Sequence, residues 1–123
     1  MLDEKAKALF NTQKTWFIAT CSEDDLNVVP IGLTAVLDDG RMALGDVDMN
    51  KTAAHIHANG RAAIAACAAD PISGYQVKGK AEYIASGPIV AACQEMADAA
   101  FGGKVKVKGV VVVTPEECIS LTS

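Results

Sequence analysis

Turn chemistry recurs along this chain at short intervals, and that spacing limits its possible folds more than any other feature. Ser22-Glu23-Asp24-Asp25, Asp38-Asp39-Gly40 and Asp70-Pro71-Ile72-Ser73-Gly74 each read as a polar turn or loop between apolar runs. The Asp39-Gly40 pair is of the type favoured in tight hairpins. The runs themselves read as strands: Thr15 to Cys21, Leu26 to Leu37, Arg41 to Leu44, Arg61 to Ala68, Tyr75 to Ile84, and Lys104 to Val113. Pro30 and Gly32 interrupt the second run, which marks an edge or a bulge. In the fifth, Gln76, Lys78 and Lys80 alternate with Val77, Gly79 and Ala81, so their polar groups share one face. In the last, Lys104, Lys106 and Lys108 guard an edge, and the apolar Val110 to Val113 needs cover on both sides, from the core and from another subunit. Thr114-Pro115-Glu116-Glu117 is expected to end it, leaving a tail from Cys118 to Ser123 to reach across a dimer.

Three helices complete the pattern. Asp3 to Gln13 places Ala6, Leu9 and Phe10 at helical spacing. Asn50 is an N-cap candidate for a helix that Asn59-Gly60 stops. Ser86-Gly87-Pro88 opens the third, with Ile89, Cys93, Met96 and Ala100 as its apolar stripe and Gly102-Gly103 as its end. The order is helix, three strands, helix, two strands, helix, strand. Such an order favours a mainly β antiparallel barrel with helices at its ends, α+β by content, over a parallel α/β sheet. No G-x-G-x-x-G follows a strand, so a Rossmann site is not expected.

A length of 123 residues makes residues 1–123 one domain. At 50% hydrophobic residues, disorder is excluded. The formal charge of −4 argues against nucleic-acid binding, which needs a basic face. No apolar run approaches the roughly 20 residues of a membrane span. The start Met1-Leu2-Asp3-Glu4-Lys5 does not read as a signal peptide, so a cytoplasmic protein is expected. Cys21, Cys67, Cys93 and Cys118 lie singly, with no C-x-x-C pair, and read as reduced, with Cys67 and Cys93 in buried apolar runs. His55 and His57 point to different sides of a helix and share no metal.

The stretch from Met42 to Gly60 carries the clearest functional signal. A short strand breaks at Gly45-Asp46-Val47, and a helix opens at Asn50-Lys51-Thr52. A helix start presents unpaired N–H groups and the positive end of its dipole; the Lys51 ammonium and Thr52 hydroxyl complete what a phosphate needs. The plain alternative is a capped helix with Lys51 in water. Gly45, lacking a Cβ, lets backbone approach a ligand, and Asp46 could bond a ligand hydroxyl, although it and Asp48 would repel a phosphate placed too near.

A strand and short turn followed by Lys51-Thr52 at a helix start resembles the flavin-phosphate corner of the pyridoxamine 5′-phosphate oxidase-like, FMN-binding split barrels. The likeness continues in order along the chain: Trp16-Phe17-Ile18-Ala19-Thr20 resembles the family's first strand, and Val28 to Leu37 its second. Val77-Lys78-Gly79-Lys80-Ala81-Glu82 and Val111-Val112-Val113-Thr114-Pro115-Glu116-Glu117 resemble later ones. The resemblance implies a six-stranded antiparallel Greek-key split barrel and a homodimer with FMN at the subunit interface. It also implies contacts to the flavin ring and ribityl chain from Val29, Pro30 and Ile31 and from Gly45, Asp46 and Val47, with Lys51 and Thr52 on the phosphate. Val29-Pro30-Ile31 offers no side-chain donor, so those contacts would be backbone and apolar.

With no visible nucleophile–base pair and no metal cluster, the flavin would carry the chemistry. The expectation is an FMN-binding electron carrier or flavin-dependent oxidoreductase with an unidentified redox partner, and no assigned catalytic residue. A true pyridoxamine 5′-phosphate oxidase is not expected, because Glu117 to Leu121 lacks that enzyme's substrate-gripping arginine segment. The alternative is a split-barrel ligand-binding or interaction module that binds FMN weakly or not at all, or takes deazaflavin or haem.

Overall fold

The computed structural model describes residues 2–69 and 72–121. Its elements are α1 (Glu4–Thr12), β1 (Trp16–Cys21), β2 (Leu26–Ile31), β3 (Thr34–Val36), β4 (Met42–Asp46), α2 (Asn50–Asn59), β5 (Arg61–Ala69), β6 (Ile72–Ile84), α3 (Pro88–Phe101) and β7 (Gly109–Ser120). Seven strands among the described residues form one sheet in the order β2-β1-β5-β6-β7-β4-β3, with every pairing antiparallel. β2 and β3 are the two edges of that sheet, yet only Gly32 and Leu33 separate them in sequence. The sheet therefore curls until its edges meet, as a split barrel requires.

Seven strands replace the expected six because the run from Leu26 to Leu37 is cut at Gly32-Leu33. There Leu33 turns under α3, and its carbonyl accepts the Gly45 N–H at 2.8 Å. Inside the barrel, Trp16, Ile18, Met42, Leu44, Ile64, Val77, Val111 and Val113 pack together, with Phe10 of α1 and Ile56 of α2. On the other side of β4 and β7, Cys93 and Ala97 of α3 pack on Leu33, Ala43, Val107, Val110 and Val112. The second cover for Val110 to Val113 is thus α3, not another subunit. The α3 stripe is also rotated from expectation: Cys93 and Ala97 are buried, whereas Met96 and Ala100 are exposed.

Several boundaries differ for reasons of backbone satisfaction. Lys104 to Lys108 is not a strand, because Gln94 binds it to α3. Its Oε1 accepts the Val107 N–H and its Nε2 donates to the Val105 carbonyl, both at 2.8 Å. Thr114 to Glu117 does not end β7, which runs on to Ser120 against β6, and Leu121 N–H then reaches the Gly74 carbonyl at 2.9 Å. Ile72 to Gly74 accordingly belongs to β6 and not to a loop, while the expected loop's Asp70 and Pro71 lie outside the described residues. So do Thr122 and Ser123 of the expected tail. Cys67 is exposed, because β5 alternates and puts it on the outer face; Cys93 alone of the four cysteines is buried, and all four are free.

β7 accommodates Pro115 through a bulge: Lys78 pairs with Glu117 but Gly79 with Pro115, leaving Glu116 as the extra residue. A Cβ on Gly79 would collide with the Thr114 carbonyl oxygen, which is backbone and cannot swing away. Gly79→Ala is therefore expected to destabilise the chain by about 3 kcal/mol, the upper end for overpacking. A urea midpoint shift checks this, and an unchanged midpoint would contradict it.

Candidate functional site

The corner between β4 and α2 is built from the buried carboxylate of Asp46. Its Oδ1 accepts the Met49 N–H at 2.7 Å, and its Oδ2 accepts from the Tyr83 hydroxyl. These bonds fix the turn through Val47 and Asp48 and launch α2 one residue earlier than expected. Met49, not Asn50, holds the N-cap position, and no side chain caps the helix. The first N–H groups of α2 thus remain available at the positive end of the helix dipole.

Burial and the bond to Asp46 push the Tyr83 hydroxyl up from 10.0 to about 12. A phenol held protonated in the folded state contributes stability below pH 10, where both states carry the proton. That contribution is lost as pH rises from 10 to about 12, where only the unfolded chain ionises. Stability is expected to fall across that window in the native chain and less in Tyr83→Phe. Denaturant midpoints at a series of pH values check the difference.

Around the start of α2 lies a polar cluster from three elements. Lys51 Nζ, largely exposed, stands 3.6 Å from Asp25 Oδ2. The same carboxylate oxygen is 3.2 Å from His55 Nε2, and His55 Nδ1 is 2.9 Å from Thr20 Oγ1. One tautomer satisfies all three groups: the Thr20 hydroxyl donates to Nδ1, and Nε2–H donates to Asp25. A hydroxyl, an imidazole and a carboxylate in line resemble a nucleophile–base arrangement. Thr20 is buried, however, so its hydroxyl is not open to a substrate. Thr52 is also buried, and its hydroxyl accepts from Asn27 Nδ2 at 2.9 Å.

Beside this corner runs an apolar groove of about 180 Å³, lined by Pro30, Ile31, Gly32, Leu33, Val47, Phe101 and Val105. β2 connects the two regions, with Asn27 at the polar cluster and Ile31 at the groove, four residues or roughly 13 Å along the strand. The groove brings together Pro30, Ile31 and Val47, which the sequence had singled out, and Lys51 stands at the corner four residues beyond Val47. The remaining candidates point elsewhere. Val29 packs against the main core, and Asp46 is consumed in the turn. A Cβ on Gly45 would stand 2.5 Å from Cys93 Sγ and 3.0 Å from Leu33 Cβ, so this glycine admits α3.

Phe101 and Val105 were not foreseen in the groove. The available signal was an aromatic residue directly before the Gly102-Gly103 helix stop. Asp25, Thr20 and Asn27 were also missed, since residues 25 to 35 positions away from α2 carry no spacing pattern to it. Among the described residues no cluster of His, Cys, Asp and Glu could hold a metal, and no helix is long and apolar enough to cross a membrane.

A curled antiparallel sheet with a groove along β2 and an uncapped helix start after β4 defines the chain as a split barrel. A family model described as pyridoxamine 5′-phosphate oxidase matches residues 2–121, and the chain belongs to that family. Among solved structures, HupZ of Group A Streptococcus is similar at 25% identity and a TM-score of 0.86, over 100% of this chain and 96% of that one. An FMN-binding protein from Syntrophomonas wolfei matches at 16% identity and a TM-score of 0.85, over 98% of this chain and 86% of that one. No curated protein matches the chain.

Proposed function

We propose that the chain is an FMN-binding flavoprotein of this family, acting as an electron carrier or flavin-dependent oxidoreductase. The observation that carries the assignment is the juxtaposition of an apolar groove with an uncapped helix start bearing Lys51. The donor set suits FMN: N–H groups and one ammonium for a phosphate, and apolar walls with no side-chain donor for a flat ring. The Lys51 ammonium and the N–H groups of Asn50 and Lys51 would hold the phosphate; Pro30, Ile31, Val47 and Phe101 would flank the ring. Bound FMN supplies the electron chemistry, and the chain binds it, orients it and excludes water on one side.

The outer sheet face supports a homodimer. Phe17, Leu26 and Val28 are 49%, 87% and 64% exposed. The register sets Phe17 beside Pro30 and Ala65, and Ala19 beside Val28 and Ala63. A contiguous apolar face of small and large residues is the kind that a second copy covers. The groove itself is open on one side, where a partner would complete it. A second reading, a barrel with little FMN affinity, draws on Asp25 standing against Lys51.

The absorbance of the protein as purified separates the two. Flavin bands, with FMN identified after heat release, are expected. A colourless chain that takes up no FMN on reconstitution would overturn the assignment.

A further inference from the structure

We infer that Asp25 sets the affinity of this site for phosphate, keeping FMN exchangeable; this rests on the flavoprotein assignment above. Lys51 is the cation at the start of α2, and its ammonium is 3.6 Å from Asp25 Oδ2. Such an exposed pair is weak and yields readily to a phosphate. Asp25 cannot follow or withdraw as freely. His55 Nε2 holds the same oxygen at 3.2 Å, the buried ring is anchored by Thr20 at 2.9 Å, and the Asp25 carbonyl accepts the Ser22 N–H at 2.9 Å. A fixed negative charge therefore remains beside whatever anion Lys51 binds.

Its neighbours in the same turn differ. Glu23 and Asp24 are exposed, and neither forms an ion pair among the described residues. Asp25 is thus the acid whose position is fixed toward the corner. Of the acids before α2, Asp46 is buried with both oxygens occupied by Met49 and Tyr83, and Asp48 is exposed and accepts from Asn50 Nδ2 at 3.2 Å. Repulsion between one fixed carboxylate and a phosphate dianion across a solvated gap weakens binding by roughly three- to tenfold.

The test compares FMN and riboflavin, which lacks the phosphate, by fluorescence titration of the native chain, Asp25→Asn and Asp24→Asn. Asparagine keeps an acceptor for His55, and circular dichroism checks that the fold is retained. Asp25→Asn is expected to bind FMN about three- to tenfold more tightly, with the gain shrinking in high salt. Riboflavin should bind all three proteins alike, and Asp24→Asn should match the native chain. Unchanged or weaker FMN binding in Asp25→Asn would overturn the inference, because the carboxylate would then orient Lys51 instead of opposing the phosphate. Equal tightening of riboflavin would overturn it too. If neither flavin binds any of the proteins, the flavoprotein assignment fails and the role of Asp25 fails with it.

Discussion

Lys51→Ala is expected to weaken FMN binding about ten- to hundredfold. An ammonium bonded to a phosphate contributes roughly 1.5–3 kcal/mol, and each 1.4 kcal/mol is a factor of ten. The substitution isolates the phosphate because Lys51 is exposed and, among the described residues, pairs with Asp25 alone, so its loss costs the fold little. Thr52→Ala would not be as clean. Thr52 is fully buried and its hydroxyl meets Asn27, so that change mixes stability with affinity. Riboflavin, with no phosphate, should bind native and Lys51→Ala chains equally. Equal FMN affinities would remove the phosphate from the start of α2.

Trp16→Ala is expected to cost about 3–5 kcal/mol of stability, the range for emptying a large aromatic site. Trp16 is completely buried, and its ring meets Phe10 edge-on at 5.2 Å. Its Nε1 donates to the carbonyls of Phe10 at 3.0 Å and Gln13 at 2.7 Å, which ties the end of α1 to the barrel. Alanine removes both donations and leaves a cavity where α1 closes one end of the core. Thermal unfolding should move down by roughly 10–20 °C. Trp16→Phe, which keeps most of the ring volume, should lose less. An Ala variant as stable as the native chain would mean that α1 is not coupled to the core.

Which parts of this molecule could be read from the sequence follows from how local their causes are. The Asp39-Gly40 turn, Gly60 with its φ of 65°, Pro88 at the start of α3 and the outward Lys78 and Lys80 all express chemistry within a few residues. They appear as expected. Features set by distant partners did not. The rotation of α3 depends on Gly45, 48 positions before Cys93, having no Cβ. The end of β7 depends on a bulge that only the pairing with Gly79 reveals. Lys104 to Lys108 has a perfect strand alternation, but Gln94 takes its backbone groups and overrides it.

The site divides along the same line. Pro30, Ile31, Val47 and Lys51 were legible, because strand, turn and helix start are consecutive or carry their own signals. Asp46 reads in sequence as a group facing a ligand, and only the fold brings Tyr83 from β6 to occupy it. Asp25 and His55 approach Lys51 from different elements, and no motif records that meeting. The face carrying Phe17, Leu26 and Val28 emerges only from the register of β1 with β2 and β5.

Titration of the native chain with FMN, followed by quenching of flavin emission, tests the central claim most directly. Saturable quenching with one FMN per chain is predicted, with the flavin bands perturbed as the ring enters the groove along β2. Emission that stays unquenched up to the solubility of the flavin would contradict it, and the groove and helix start would then serve some other ligand.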